Sequence, residues 1–217
     1  MKTYKLSSLL VLASLALLMA CTGKTADNSA KEENKAESSA KETKGKYAIK
    51  SGVVVYNTQV MGMDVKQTLT FDDYGNKEVQ EMEMEVMGTP IHTLTLAKDG
   101  YIYTIDLVNR TATKVPGMSV NSSSIDFENL SEEMVQKMNL KKIGTEEMLG
   151  KKCDKMSIDY PDMQMTGTFL VYKGVALKME TEVSTMAINL VAESFEENPD
   201  VDASKFEIPS DITINEN

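Results

Sequence analysis

Methionine is the residue type whose spacing in this chain could do the most chemistry. The 217 residues include 16 methionines, and Met-x-Met pairs occur at Met61/Met63, Met82/Met84 and Met163/Met165. On a β-strand, residues i and i+2 point to the same face, so each pair would present two thioethers together. Three interpretations are open: a plain Met-rich core, an adaptable cavity for apolar ligands, or a copper(I) site of thioethers that His92 could complete.

The single histidine, His92, alternates with Leu94 and Leu96, so we expect it to point inward as a neutral, hydrogen-bonded side chain. Nucleophilic catalysis needs a nucleophile, a base and an orienting acid within reach of one another, and no local spacing supplies that set. Cys153 alternates with Lys155, a pattern that leaves the burial of its thiol open. We therefore expect a protein that is not an enzyme and that carries no metal or other cofactor.

Charge excludes a further class of function. The chain has 23 Lys and Arg against 33 Asp and Glu, a formal net charge of −10. Phosphate backbones repel a protein this acidic, so we exclude nucleic acid as a partner. A row of carboxylates at Glu81, Glu83 and Glu85 could suggest calcium, but it fits a solvated strand face better, since charged faces discourage edge pairing.

The N-terminus has the pattern of an export signal. A short basic region precedes an apolar run over residues 6–20 that is too short to span a bilayer, which takes about 20 apolar residues. The run ends on Leu18-Met19-Ala20-Cys21, which resembles the lipobox of bacterial lipoproteins. The resemblance implies that residues 1–20 are a signal peptide and that Cys21 becomes the lipidated first residue. The alternative is an ordinary cleaved signal with an incidental cysteine.

Residues 21–46 are predicted to be a disordered tether. After Cys21 they contain no aromatic residue and no aliphatic residue beyond Ala, so they cannot bury enough apolar surface to order themselves. Thr22, and not Asp, follows the anchor, so nothing resembles the inner-membrane retention signal of some Gram-negative bacteria. We expect a lipid-anchored protein of the bacterial outer membrane, with its domain facing either the periplasm or the cell surface.

Residues 47–217 have the pattern of one β-rich domain. Apolar and polar residues alternate with period two in segments such as 65–71 and 81–86, which predicts half-buried strands. Short connections such as Lys98-Asp99-Gly100 predict that consecutive strands are antiparallel.

One segment of this domain has a helical period instead. In residues 130–138, Leu130, Met134 and Met138 form an apolar stripe, and Ser131 can cap the helix. A lone amphipathic helix must pack its stripe on a sheet. The sequence therefore predicts a mainly β fold, an incomplete antiparallel β-barrel with a short helix that covers its concave face.

Four short segments carry a resemblance to a known fold family: Asp99–Asp106, Leu149–Asp154, Val171–Lys178 and Phe206–Pro209. They are similar to segments of the lipoprotein-carrier (LolA-like) fold and of uncharacterised bacterial lipoproteins assigned to it. The resemblance implies a half-barrel that holds acyl chains or other apolar ligands between its sheet and its helices.

The predicted ligand cavity combines the thioether strand, the histidine strand and the helix stripe. Its residues are Met82, Met84, Val86, His92, Leu94, Leu130, Met134 and Met138. We expect a membrane-anchored, non-catalytic lipoprotein that binds an acyl chain or another apolar ligand there. One alternative is a structural or interaction lipoprotein with a filled core that binds a protein partner; another is periplasmic copper(I) binding through the Met-x-Met pairs.

Overall fold

The computed structural model describes residues 45–60, 63–117 and 125–216. The predicted signal peptide (1–20), the predicted lipidation site Cys21 and the predicted tether up to residue 44 lie outside these ranges, as does Met61. Backbone contacts divide the chain into residues 1–40 and 41–217, and every described residue belongs to the second unit.

The described residues form strands, one short α-helix and three 3-10 turns. The strands are β1 (Gly52–Val60), β2 (Met63–Asp72), β3 (Lys77–Val86), β4 (Thr89–Lys98), β5 (Tyr101–Asp106), β6 (Thr111–Pro116), β7 (Lys141–Met148), β8 (Lys151–Tyr160), β9 (Met165–Tyr172), β10 (Val175–Val183), β11 (Met186–Glu197) and β12 (Thr213–Glu216). The helix is α1 (Glu132–Lys137). The 3-10 turns are Asp73–Gly75, Pro161–Met163 and Ala203–Phe206.

All these strands belong to one sheet, in the order β12-β6-β5-β4-β3-β2-β1-β11-β10-β9-β8-β7. Neighbouring strands are antiparallel, except that β12 runs parallel to β6. Each strand of β1–β6 pairs with the next one along the chain, as does each strand of β7–β11, and the β1–β11 ladder joins these two runs. The sheet is open, with β12 and β7 at its edges. The predicted mainly β fold and incomplete antiparallel barrel are confirmed.

Two β-bulges lie near the middle of this sheet. The β1–β11 ladder shifts register between Val55 and Tyr56, and the β9–β10 ladder shifts between Ala176 and Lys178. A bulge bends its strand and increases the local twist. The hydroxyl of Tyr56 donates to the backbone carbonyl of Ala176 at 2.8 Å, although β11 lies between these two strands. The sheet therefore curves around the face to which Tyr56 points.

The two faces of the sheet follow from the strand registers, because residues directly opposite each other on adjacent strands share a face. We call the face that carries Tyr56, Leu69 and Met179 the inner face. The opposite, outer face carries Val79 and Leu96, which are direct partners on β3 and β4.

Residues 125–140 lie over the inner face of β8–β10 and are called the inner cover. Within them, the backbone N–H of Met134 donates to the side chain of Ser131, so Ser131 caps α1 as predicted. Met138 and Leu140 are buried in one cluster with residues of the sheet, Ile158, Phe169 and Val171. The predicted short helix over the sheet is confirmed. Among the described residues, no helix has the length and apolar character needed to cross a membrane.

The apolar stripe of this helix differs from the prediction by one residue. Met134 is 37% exposed, whereas Val135 packs with Leu130 against the inner cluster. The reason is the extended backbone of Ser131, with φ −66° and ψ 154°, which places Leu130 before the helix. Helical i, i+4 spacing therefore does not begin at Leu130, and Val135 pairs with Met138 instead.

Residues 201–212 lie over the outer face of β3–β6 and are called the outer cover. Phe206 ends the 3-10 turn Ala203–Phe206 and is 9% exposed. It packs in a buried cluster with Val79, Leu96 and Tyr103 of the sheet. The C-terminal segment is thus a structural part of the domain and leads directly into β12.

Candidate functional site

A partly enclosed apolar cavity of about 60 Å³ lies between the inner face and the inner cover. Its lining residues come from both halves of the sheet, the inner cover and the N-terminal segment: Tyr47, Tyr56, Gln67, Leu69, Gln80, Ile125, Phe127, Met165, Phe169, Gly174, Ala176, Met179 and Leu190. A space of this size holds about four to six water-sized groups. It therefore suits a short alkyl group or the end of a longer chain.

The curvature of the sheet creates this cavity. Gln80 lies on β3 and Met165 on β9, five places apart in the strand order. In a flat sheet these strands would be roughly 24 Å apart, at about 4.8 Å per strand. Both side chains nevertheless line one small space, so the bulged centre of the sheet brings its two halves together.

The cover over the cavity is fixed by an aromatic contact. The rings of Phe127 and Phe169 meet edge to face, with their centroids 5.3 Å apart. Phe127 lies only two residues from Ile125, the first described residue of the inner cover, and both line the cavity. Since Phe169 is buried on β9, this contact holds the start of the inner cover against the sheet.

Residues 45–50 lie at one end of the cavity. The backbone N–H of Tyr47 donates to the carbonyl of Tyr74 at 2.9 Å, and that of Ala48 donates to the carbonyl of Lys173 at 3.0 Å. The segment therefore bridges the turn after β2 and the turn after β9. Gly174 is required at the second turn: its φ is +83°, and a Cβ there would lie 2.8 Å from the carbonyl oxygen of Lys46.

A carboxylate sits beside this end of the cavity. Glu78 accepts the hydroxyl of Tyr47 at 2.7 Å and forms an ion pair with Lys46 at 2.7 Å. Burial, reinforced by the nearby Glu78 charge, raises the pKa of Tyr47 and of Tyr56 well above the ordinary phenol value. Both phenols stay neutral donors at every physiological pH.

The structure does not bring the eight predicted cavity residues together. Met82 and Met84 are half-buried on the inner face of β3, and Val86 ends the same strand, but none of the three lines the cavity. His92 and Leu94 lie on the outer face, since their partners on β3 are Glu83 and Glu81. The even residues of β3 face one way and the even residues of β4 the other, because an even-numbered turn connects them.

The predicted helix residues lie nearer the cavity but do not line it. Leu130 and Met138 pack in the inner cluster next to it, and Met134 is exposed. Two other methionines are closer to the prediction. Met165, from the third Met-x-Met pair, lines the cavity together with Met179. The thioethers that border the cavity are thus those of β9 and β10, whereas those of β3 lie elsewhere on the inner face.

His92 forms the one histidine–carboxylate cluster of the described ranges. Its Nε2 lies 2.6 Å from Glu81 Oε1 and 3.9 Å from Glu83 Oε1. It is hydrogen-bonded, as predicted, but its side chain is 35% exposed on the outer face and does not point inward. Imidazole and carboxylate ligands suit zinc or manganese better than copper(I). Met82 and Met84 point to the opposite face of the sheet, which disfavours a thioether site completed by His92, although Met84 and His92 border the same open groove.

The burial of Cys153 is settled by the structure. Its side chain is fully buried in the central cluster with Leu170 and Leu177. Burial raises the pKa of the thiol, and the Sγ donates to the carbonyl of Lys151 at 3.5 Å. A buried thiol with a raised pKa is an inert structural group.

Comparisons with known proteins bear on the fold alone. No family model and no curated protein matches the sequence. An uncharacterized conserved protein from Thermus thermophilus is similar in structure, with a TM-score of 0.53 and 8% identity over 78% of this chain and 92% of that chain. LprF from Mycobacterium bovis has a TM-score of 0.39 and 14% identity, over 77% and 91% of the two chains. A DUF1329 family protein from Desulfovibrio piger has a TM-score of 0.36 and 10% identity, over 74% and 90%. The TM-scores of LprF and the DUF1329 protein are too low to support an argument. The similarity to the Thermus thermophilus protein shows that a fold of this kind occurs in another protein.

Proposed function

We propose that this protein is a membrane-anchored, non-catalytic lipoprotein whose β domain binds an acyl chain or another apolar ligand in the inner cavity. The observation that carries the proposal is the cavity itself, a partly enclosed apolar space between a curved sheet and a short cover. Small-molecule sites are typically concave and mostly apolar, with a few polar groups.

The chemistry of the lining supports binding without catalysis. Phe127, Phe169 and Leu69 supply apolar surface, and Met165 and Met179 supply thioethers that adapt to different ligand shapes. None of the described lining residues carries a nucleophilic hydroxymethyl or thiol group, an imidazole or a charge. The cavity can therefore bind and desolvate a ligand, and its two phenols, Tyr47 and Tyr56, are held as neutral donors by their raised pKa and their hydrogen bonds.

Methionine-methyl NMR tests the proposal. In the mature chain, residues 21–217 with Cys21→Ser to prevent acylation, 13C-labelled methyls of Met165 and Met179 should shift on titration with octane or octanamide. Met87 and Met186, which are 101% and 57% exposed, are the internal controls and should not shift. If saturating octane and octanamide leave Met165 and Met179 unchanged, the cavity does not bind apolar ligands and the proposal is wrong.

A second candidate, an interaction lipoprotein that binds a protein partner, is favoured by one observation. Met87, Met163 and Met186 are all exposed and lie at the same end of the sheet, in or beside the connections after β3, β8 and β10. Exposed methionines suit adaptable protein contacts. Unshifted cavity methyls in the experiment above, together with loss of a cellular partner on Met87→Lys, would favour this candidate.

The membrane anchor has its own test. Cys21→Ser in the full-length protein removes the acceptor for the lipid, so we expect an uncleaved precursor that incorporates no labelled fatty acid. Fractionation and metabolic labelling with palmitate measure this, and Cys153→Ser is the matched control because Cys153 is buried in the domain. Continued labelling and outer-membrane fractionation of Cys21→Ser would contradict the proposed lipid anchor at Cys21.

A further inference from the structure

The polar groups of the inner cavity are all neutral. Two carboxamides, Gln67 and Gln80, and two phenols, Tyr47 and Tyr56, are the only polar side chains among its described lining residues. The phenols are already engaged, Tyr56 with the carbonyl of Ala176 and Tyr47 with a carboxylate outside the lining. The amides are the polar groups left to meet a ligand.

Gln67 is the better placed of the two amides. It lies on the inner face of β2, directly opposite Tyr56 on one side and Met82 on the other. Its side chain is half-buried and has no hydrogen-bond partner in the described part of the chain. A carboxamide both donates and accepts, so it can satisfy a carbonyl, a hydroxyl or another amide.

Gln80 places a second amide next to that of Gln67. It is the direct partner of Leu69 on β2, which places it diagonally next to Gln67 on the inner face. Its Nε2 donates to Glu78 Oε1 at 3.3 Å. That bond orients the amide, and its carbonyl oxygen accepts no hydrogen bond from the described residues.

The charges around the cavity disfavour an ionised ligand of either sign. Glu78 is the carboxylate beside the cavity, and it already pairs with Lys46, so that cation is not left to bind a ligand anion. Its oxygens are taken by Lys46, Tyr47 and Gln80, so it offers no free charge to a ligand cation. Burying an unpaired ion costs far more than burying a hydrogen-bonded neutral group.

We propose that the cavity selects ligands whose alkyl chain carries a neutral hydrogen-bonding group, such as an amide, an ester carbonyl or a hydroxyl, over the ionised carboxylate of the same chain length. Gln67 is the specificity-determining residue and Gln80 its support. This inference rests on the proposed function and names the ligand class of the same cavity.

The test compares three compounds of equal chain length, octanamide, octanoate and octane, at pH 8 by the methyl shifts of Met165 and Met179. We expect octanamide to bind at least tenfold more tightly than octanoate. Gln67→Met keeps the length of the side chain and should weaken octanamide binding about tenfold, which corresponds to the loss of one hydrogen bond. Octane binding should stay within twofold of its original value. Gln136→Met on exposed α1 is the matched control and should change nothing.

The possible outcomes separate the two proposals. Equal affinity for octanoate and octanamide overturns the selection for neutral groups, although octane binding would still support the apolar cavity. A Gln67→Met variant that loses octane and octanamide alike also overturns it, because Gln67 would then act through packing. The comparison of octanamide with octanoate uses the unsubstituted side chains and stands even where Gln67→Met fails to fold. If no compound shifts the cavity methyls, both proposals fail.

Discussion

The inner cover and the outer cover lie over opposite faces of one sheet, yet they leave different spaces beneath them. The outer cover places Phe206 among Val79, Leu96 and Tyr103, and the ring fills the space. The inner cover places Phe127 edge to face on Phe169 and leaves a cavity of about 60 Å³ beside it. Both covers are short and are anchored by an aromatic ring, so the sheet beneath must cause the difference.

The residues under the two covers differ in stiffness. Under the outer cover the sheet offers Val79, Ile105 and Ala112, whose side chains have few rotamers. Around the cavity it offers Met165, Met179 and the amide of Gln67, which are flexible. A packed core needs side chains of fixed shape, whereas a site for variable ligands tolerates side chains that move. The comparison thus predicts where substitutions change stability and where they change binding.

The largest effect is expected from removing the two anchoring rings. Phe206→Ala should lower the free energy of unfolding by about 3–5 kcal/mol, because it empties a packed site. Phe127→Ala should cost less than about 2 kcal/mol, since that ring is half-buried and already borders a cavity. Urea denaturation followed by circular dichroism measures both. Equal losses of unfolding free energy in the two variants would mean that the two covers are packed alike, which would contradict the difference described above.

A smaller effect is expected from adding volume under each cover. Ala112→Leu, at a position 2% exposed under the outer cover, should overpack the core and cost roughly 1–3 kcal/mol. Ala176→Leu points into the cavity and should fill it with less than about 1 kcal/mol of loss. It should also abolish the octanamide-induced shift of Met179. A severe loss of stability in Ala176→Leu, with the octanamide-induced shift of Met179 unchanged, would show that position 176 faces packed side chains and not the ligand space.

The smallest effect concerns the dependence of stability on pH. The pKa of Cys153 is raised above its ordinary value of 9.0 by burial, whereas the unfolded thiol titrates normally. The unfolded state therefore loses its proton first, and stability falls as the pH rises past 9. Cys153→Ala should flatten this decline between pH 8 and 9.5, below the range where Tyr47 and Tyr56 contribute. Denaturation midpoints across that window measure it, and identical pH slopes in the two proteins would contradict the assignment.

Local sequence patterns predicted the elements that have a clear period. Alternation marked β3 and β5, the Lys98-Asp99-Gly100 turn marked a hairpin, and Ser131 marked the start of α1. β7 escaped prediction because Lys141–Met148 has no alternating apolar face, and all but its last residue are exposed. An edge strand whose side-chain contacts are mostly exposed ion pairs, such as Lys142 with Asp154, leaves no period-two apolar signal.

The predicted site depended on a step from strand to sheet that periodicity does not supply. Period two correctly placed Met82 with Met84, and His92 with Leu94. It does not say which strands share a cavity, and that depends on the long-range β1–β11 ladder and its bulge at Tyr56. The separation of Met84 from His92 could have been predicted from the sequence, because an even number of turn residues between β3 and β4 places these two residues on opposite faces. The proposed role of Gln67 in ligand selection could not have been predicted, because a glutamine on a strand normally indicates a solvated face.

The β1–β11 ladder also decides the order in which the chain can fold. Strands β1–β6 and β7–β11 pair with their immediate neighbours through short turns, which close quickly. The ladder pairs Gly52 with Glu197, nearly the whole domain apart in sequence, so its loop closes last. Until then β1 presents an unpaired edge that includes Val53 and Val55, and such edges template aggregation. We expect a chain halted before β11 is made to leave β1 exposed, so residues 186–217 are the part of the sequence that protects β1 from aggregation.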